Sequence, residues 1–511
     1  AERCANRLLE IRPESAHALY LKGAVALRRG DLEAGADWCR KAIAADPGYG
    51  EAFKLLGALE WAADKRDVGF DLLERAFILT PESADVADAY HSAVTAMKAW
   101  ERAARVLNDA CGLHPAHKQL SYRLIEALLR LGRQAEAMER IEEVMLSFGI
   151  DQGILAAALE VRGQIGPYQG LASGSNRGSL SLCMIVRTEE RTLARCLARA
   201  KPAVSEIIVV DTGSLDRTRE IATAYGAKVF EHPWADDFSA ARNFALANAT
   251  SEWILVLDAD EVIAAHELAA VAALASGAGS KLKSWSFVTR NYVAAVNTSG
   301  WTANDGSYAL DEAGTGWIPS VKVRLFPNRA DIRFSDPVHE RVEPALEKLG
   351  IPVKAAAIPV HHYGKLDERA DRGKGESYYE LGKRKLDELG DDVTAIAELA
   401  IQARALERYD EAIELWQRAL AISPDLSIAW FNVGSALIEL GRYEEALTAS
   451  RRALELKPEQ KEIVYNCAMA EFYAGDGRSA LEMLERLTGA EPEYPVAAAL
   501  LAATLAAHGR P

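Results

Sequence analysis

Four prolines, Pro13, Pro47, Pro81 and Pro115, stand 34 residues apart, and Pro424, Pro458 and Pro492 repeat the interval near the other end. A fixed interval of this length means a repeated supersecondary unit. A proline cannot continue a helix, so each one marks where a helix has ended. The residues between them agree. Gly23 and Gly57 fall in first helices, where a small residue lets the paired helix approach, and Ala42 and Ala76 stand five residues before their prolines, on second helices. Near the carboxyl end, Trp430, Gly434, Ala446 and Ala453 fall where such a unit wants one large and three small side chains. A helix pair of this kind buries its apolar stripe only against its neighbours, so the units must stack into solenoids. The expected arrays cover residues 1–163 and 375–511.

The period and its small residues resemble the tetratricopeptide repeat. That resemblance implies a concave surface on each array, suited to binding a polypeptide. Repeat stacks can also pair with one another, so a homo-oligomer is a further expectation. Ala1 is followed at once by a helical pattern, Arg3 to Ile11, as expected of a piece of a longer protein.

At 511 residues the chain is too long for one core, so three or more domains are expected. A net charge of −15 and a pI near 5.3 argue against nucleic acid as the main partner. No run of roughly 18 apolar residues exists, so no membrane span is expected. Six cysteines without a C-x-x-C pair read as reduced, packed thiols, which points to a cytoplasmic protein.

Residues 164–179 are rich in glycine and serine and read as a linker. Beyond them the helical period gives way to alternating strand and helix signals over 180–374. Leu180–Val186, Glu206–Asp211 and Lys228–Phe230 read as strands, with helices over Thr192–Ala200 and Phe238–Ala249. This alternation predicts a parallel, doubly wound sheet. Glu252 to Val262 is the most informative stretch. Trp253 to Leu257 is wholly apolar, as in a central strand covered on both faces, and it runs into Asp258, Asp260 and Glu261. Ligands bind at that end of such sheets, and carboxylates there suit a hard divalent cation held together with substrate phosphates. Asp211 ends the second strand at the same sheet edge. Arg242 lies early in the helix before the acidic strand, and a guanidinium suits phosphate oxygens.

Four ordered segments, Leu182–Val186, Ile208–Ser214, Asp237–Asn243 and Leu257–Glu261, resemble the family 2 glycosyltransferases, whose GT-A fold is a Rossmann-like α/β domain. The likeness runs over about 180–365 and is greatest to the branch with bacterial peptide S-glycosyltransferases and lipopolysaccharide-core transferases. It implies a UDP-sugar donor and a divalent cation, Mn²⁺ or Mg²⁺. Asp211 would hold the uridine, Arg242 the nucleotide or its diphosphate, Asp258 the ribose and Asp260 the metal. That branch usually carries Lys-Asn-Glu-Glu after the first strand, where this chain has Arg187-Thr188-Glu189-Glu190. The resemblance places Thr188 and Glu189 in the nucleotide-sugar pocket.

Further on, Lys283–Val293 reads as a strand and Ala294–Pro319 as a long irregular loop, whose Tyr308 and Trp317 offer apolar faces to a sugar or acceptor. Val321–Phe326 and Ile332–Phe334 read as a hairpin. Inverting transfer needs a carboxylate base facing the acceptor. The family places an acidic residue in this region, making Glu340 the candidate and Asp336 the alternative. His362, in His-Tyr-Gly, would be a second metal ligand, and Lys374 would reach the diphosphate. Two helical arrays argue for a protein acceptor, modified on Ser or Thr, from UDP-GlcNAc or UDP-glucose. Flagellin is by analogy the first acceptor to test. The competing readings are a core-oligosaccharide or lipid-linked transferase, and a repeat scaffold with an inactive domain.

Overall fold

The computed structural model describes residues 2–507 except 171–178, 276–282, 294–299, 339, 367 and 493, and it leaves several side chains within 367–388 undescribed. The chain forms two compact units, Ala1–Gly166 and Pro167–Pro511.

The first unit is a stack of antiparallel helix pairs. Ala16–Arg28 packs on Leu32–Ala45 and Gly50–Ala62 on Arg66–Leu79; the next pairs are Ala84–Met97 with Trp100–Leu113 and Lys118–Arg130 with Gln134–Phe148. Gln152–Ile165 ends the stack. The glycines have the steric role read from the sequence. A Cβ on Gly57 would lie 2.9 Å from the Leu73 side chain and 3.1 Å from the Gly69 carbonyl. Ala42 and Ala76 are fully buried on the facing helices. Buried Glu74 binds successive repeats together by accepting from the Tyr90 hydroxyl (2.9 Å) and from Arg102.

The second unit holds a nine-stranded sheet and a second helical array. The strands are β1 Leu180–Val186, β2 Glu206–Asp211, β3 Lys228–Glu231, β4 Trp253–Val256, β5 Glu261–Ile263, β6 Ser284–Val293, β7 Thr302–Ala303, β8 Gly316–Pro327 and β9 Val353–His362. Their order is β3-β2-β1-β4-β8-β6-β9-β5, with β7 paired to β8. The first four are parallel; β1, β2 and β4 are nearly all buried, which is why they read as largely apolar runs, while β3 at the sheet edge is partly exposed. β8 turns antiparallel against β4 and β6. Only Leu257–Asp260 link β4 to β5. Arg324 of β8 nevertheless meets Glu261 of β5, so the far end of the sheet curls back beneath the carboxyl end of β4.

Three expectations are corrected here. Ile332–Phe334 is not a strand and makes no hairpin with Val321–Phe326. Both edges of β8 are already taken by β4 and β6, and the Phe334 backbone instead exchanges two hydrogen bonds with the Asn243 side chain. The irregular loop stops short of Pro319, because Gly316–Pro319 already pair with β6 and β7. Helix resumes at Glu368 rather than near Gly375. Glycines weaken a helical pattern, but Gly375 allows close packing: a Cβ there would lie 3.0 Å from Leu406.

After Glu368–Leu389 the array runs through Val393–Ala405 with Tyr409–Ile422, Ser427–Glu439 with Tyr443–Leu456, and Lys461–Ala474 with Gly477–Ala490, then Pro495–Ala507. Contacts between this array and the sheet domain include two polar ones. Glu462 accepts from the Gly300 backbone N–H (3.0 Å), and Arg384 pairs with Asp236 (2.8 Å). Among the described residues no helix is long and apolar enough to cross a membrane.

Candidate active site

The carboxyl ends of β1, β2 and β4 carry the first group of residues. Asp211 closes β2 and is 3% exposed. Its Oδ1 accepts from the N–H groups of Gly213 and Ser214, both at 3.0 Å, which sets the turn into the next helix. Its Oδ2 is buried and has no partner among the described residues. A buried, unpaired carboxylate oxygen is costly and marks where an external donor fits. Thr188 lies on the neighbouring loop at φ +57°, a left-handed conformation uncommon outside glycine. Its N–H donates to Ser214 Oγ (2.8 Å), and the Glu189 N–H donates to Thr218 Oγ1 (2.7 Å). Thr188, Glu189 and Asp211 are thus gathered at one edge.

The helix Phe238–Asn248 supplies the second group. Asp237 caps it, accepting from the Ala240 N–H (2.9 Å). Arg242, on its buried face, joins two carboxylates: Nη2 pairs with Asp258, and Nε lies 3.2 Å from Glu340 Oε1. Its Nη1 is buried and has no partner among the described residues. Burial alone would raise the Asp258 pKa. The cations of Arg242, Lys322 and Arg324 outweigh it and hold the carboxyl well below its ordinary range. The segment bearing Glu340 is strapped to the same helix, through Phe238 N–H to the Pro337 carbonyl (2.9 Å) and Ser239 Oγ–H to the Asp336 carbonyl (2.6 Å). Glu340 therefore faces Arg242. Asp336, at φ +73°, turns its exposed carboxylate to Arg341 (3.4 Å).

The third group lies where β5 pairs with β9. Asp260 Oδ2 is 3.2 Å from His362 Nε2, and His362 Nδ1 is 2.8 Å from Asn291 Oδ1. Burial alone would lower the His362 pKa, but the hydrogen bond to Asp260 together with the negative charges of Asp260, Glu261 and Asp258 outweighs it and raises the pKa. A Cβ on Gly364 would lie 2.3 Å from Asp260 Oδ2 and 2.8 Å from His362 Nε2, so only glycine leaves that space open. This donor set fits a divalent cation. When Asn291 accepts from Nδ1–H, the Nε2 lone pair is fixed toward the carboxylate, the usual outer support of a metal-binding histidine. Among the described residues no group of three or more His, Cys, Asp or Glu side chains is placed to hold a metal. Two protein donors suit a cation whose remaining positions are taken by phosphate oxygens and water.

Residues 181–292 match the family model described as glycosyl transferase family 2. The middle domain is a family 2 glycosyltransferase domain. Models for the tetratricopeptide repeat match residues 1–50, 93–146, 392–459 and 437–504. A TPR repeat-containing protein of Synechococcus elongatus is 41% identical over 211 residues, 40% of this chain and 47% of that one. The SPbeta prophage-derived glycosyltransferase SunS of Bacillus subtilis is 28% identical over 202 residues, 38% of this chain and 43% of that one. An uncharacterized glycosyltransferase of Rickettsia typhi is 38% identical over 82 residues, 16% of this chain and 28% of its own. The chain spans less than half the length of each of these relatives.

Several residues of the glycosyltransferase domain depart from the sequence reading. Glu261 does not join Asp258 and Asp260 at the surface. It is 1% exposed and makes a bidentate pair with Arg324, itself 2% exposed, with both contacts at 2.5 Å. Glu261 also accepts from the Asp258 N–H (2.9 Å), so this ion pair sets the turn that carries both aspartates. An arginine set among the apolar Val323, Leu325 and Phe326 was the available signal, since a charge in a buried strand needs a partner. Lys322, 3.6 Å from Asp258, also went unnamed in the sequence reading.

Tyr308 and Trp317 hold the Arg290 guanidinium between them, 4.7 and 4.8 Å from the ring centres, and the Tyr308 hydroxyl donates to Glu267 (2.9 Å). Asp311, in the same loop, is tied to Arg195 and Arg199. Lys374 falls in the helix Glu368–Leu389, but its side chain lies outside the described residues.

Proposed function

We propose that this chain is a metal-dependent, inverting glycosyltransferase that moves a sugar from a UDP-sugar to a Ser or Thr hydroxyl of a protein. The observation that carries the reading is the Asp260–His362 pair, which faces the space that Gly364 keeps open. The reading is further supported by Asp258, which stands two residues before Asp260 and with Glu340 is held by Arg242.

In this reading the unpaired Asp211 Oδ2 accepts from the uracil N–H, with Thr188 and Glu189 alongside. Asp258 takes the ribose, and Arg242 Nη1 offers a donor to the diphosphate. Lys374 is a further diphosphate contact. Asp260 and His362 hold Mn²⁺ or Mg²⁺. When bound, the cation supplies positive charge against the negative charge that builds on the departing UDP. Glu340 takes the proton of the acceptor hydroxyl as that oxygen bonds to the anomeric carbon and the carbon–phosphate oxygen bond breaks. The anomeric configuration inverts because attack comes from the face opposite UDP. The arrays at 1–163 and 375–511 bind the acceptor of the catalytic domain at 180–374; Tyr308 and Trp317 are the proposed sugar or acceptor wall.

Intact-mass analysis of candidate acceptors, flagellin first, after incubation with UDP-GlcNAc or UDP-glucose and Mn²⁺ tests the reading. A mass gain of one hexose or N-acetylhexosamine on the protein is expected. Donor-dependent labelling of lipid or free oligosaccharide alone would overturn the protein-acceptor assignment.

A further inference from the structure

The helix Glu368–Leu389 leads into the C-terminal array, yet one of its side chains stacks on the helix that carries Arg242. The Tyr378 ring lies parallel to Phe238, with centroids 5.5 Å apart and planes 5° from parallel. Trp234 adds a third ring, edge-on to Phe238 at 4.6 Å. The Arg384–Asp236 pair fixes the same helix to the turn just before Phe238. Phe238 opens the helix Phe238–Asn248, and Arg242 stands one turn further on the same side. Arg242 grips Asp258 and Glu340, so the stack on Phe238 brings Tyr378 to the helix face that holds that carboxylate pair.

Two properties distinguish Tyr378 from a packing residue. First, 37% of its surface is open to solvent although its ring is held by a stack. Second, burial and the negative charges of Asp258 and Glu340 raise its pKa above the ordinary tyrosine range. Like any tyrosine the phenol is protonated at neutral pH, and its hydroxyl can donate a hydrogen bond. In the proposed function Asp258 marks the ribose side and Glu340 the acceptor side, so a group facing both lies over the sugar between them.

We infer that Tyr378 is a substrate-contacting residue, its open ring face packing on the transferred sugar and its hydroxyl donating to a sugar oxygen. This inference rests on the donor reading given under the proposed function. It makes the C-terminal array part of the active site, since the helix that begins the array contributes a wall of the sugar pocket.

Tyr378→Phe keeps the ring stack and removes only the donor. Binding of UDP, UDP-GlcNAc and UDP-glucose with Mn²⁺ is compared by calorimetry, alongside steady-state release of UDP from the sugar donors. UDP affinity is expected to stay within about twofold of the parent. Affinity for the accepted UDP-sugar and kcat/KM for its turnover are expected to fall by roughly five- to twentyfold, the scale of one lost hydrogen bond. Tyr378→Ala, checked for intact fold by circular dichroism, is expected to fall further because the sugar also loses its aromatic face. A Phe variant with parental UDP-sugar binding and turnover would overturn the inference, even if the Ala variant were crippled. Parent protein that bound neither UDP nor UDP-sugar would overturn the donor reading itself, and this inference with it.

Discussion

Arg242 Nε lies 3.2 Å from Glu340 Oε1, joining residues 98 positions apart in the chain. The same guanidinium holds Asp258, so one buried cation fixes the spacing between the proposed ribose contact and the proposed base. Removing it would leave Glu340 without its counter-charge and Asp258 with only the more distant Lys322 and Arg324. Arg242→Met is expected to destabilise the protein by about 3–5 kcal/mol, the range for breaking a buried pair. Denaturant unfolding measures this, and a loss under 1 kcal/mol would show that the pair is not what holds the segment.

Glu340→Gln preserves the shape of that contact and removes the base. Binding of UDP-sugar is expected to persist while transfer falls by about 10²-fold or more. Near-normal turnover would move the role elsewhere, with Asp336 the next carboxylate to test.

Gly364 gives the sharpest test of the cation site. An alanine there would place its methyl group 2.3 Å from Asp260 Oδ2. Gly364→Ala is expected to abolish the gain in UDP affinity produced by Mn²⁺ while leaving metal-free UDP binding unchanged. Asp260→Ala and His362→Ala should do the same. Calorimetry in chelator and in Mn²⁺ decides it, and equal Mn²⁺ enhancement in all three variants would remove the assignment.

Glu206 predicts a pH dependence of stability. Its carboxylate sits at the opposite end of β2 from Asp211 and accepts from Ser181, Thr250 and Lys228. Burial would raise its pKa, but those bonds outweigh it and hold the group at about 2 against an ordinary 4.5. A lowered folded pKa means the stabilisation is fully present above the unfolded value and fades as pH falls from about 4.5 toward 2. Glu206→Gln is expected to cost about 1–3 kcal/mol at pH 7 and to flatten that acid limb. Unfolding curves between pH 7 and pH 3 measure both.

Deleting residues 1–163 separates acceptor binding from chemistry. Hydrolysis of the UDP-sugar is expected to persist, while transfer to a protein acceptor falls chiefly through a raised KM. A soluble truncated enzyme that modified its acceptor as well as the parent would end the groove reading for that array.

The parallel half of the sheet was legible because strands covered on both faces must be apolar throughout, as in Ile207–Val210 and Trp253–Leu257. The repeats were legible because proline and small residues recur at one interval. The antiparallel half was less so. β8 and β9 mix polar and apolar residues, and nothing local to Ile332–Phe334 says that Asn243 rather than a strand will meet its backbone. Asp260 and His362 stand 102 residues apart, and only the family resemblance suggested them as partners. Asn291, which orients His362, and the Glu261–Arg324 pair went unseen because each depends on how the far edge of the sheet curls back.

That curl has a consequence for how such a sequence can drift. Glu261 and Arg324 are each almost wholly enclosed, and each is the other's counter-charge. Losing either alone strands a naked charge beneath the aspartate turn, whereas replacing both by apolar residues of similar volume can be tolerated. The two positions are therefore expected to change in step across descendants of this chain, as a correlated pair in an alignment rather than as two independently constrained columns.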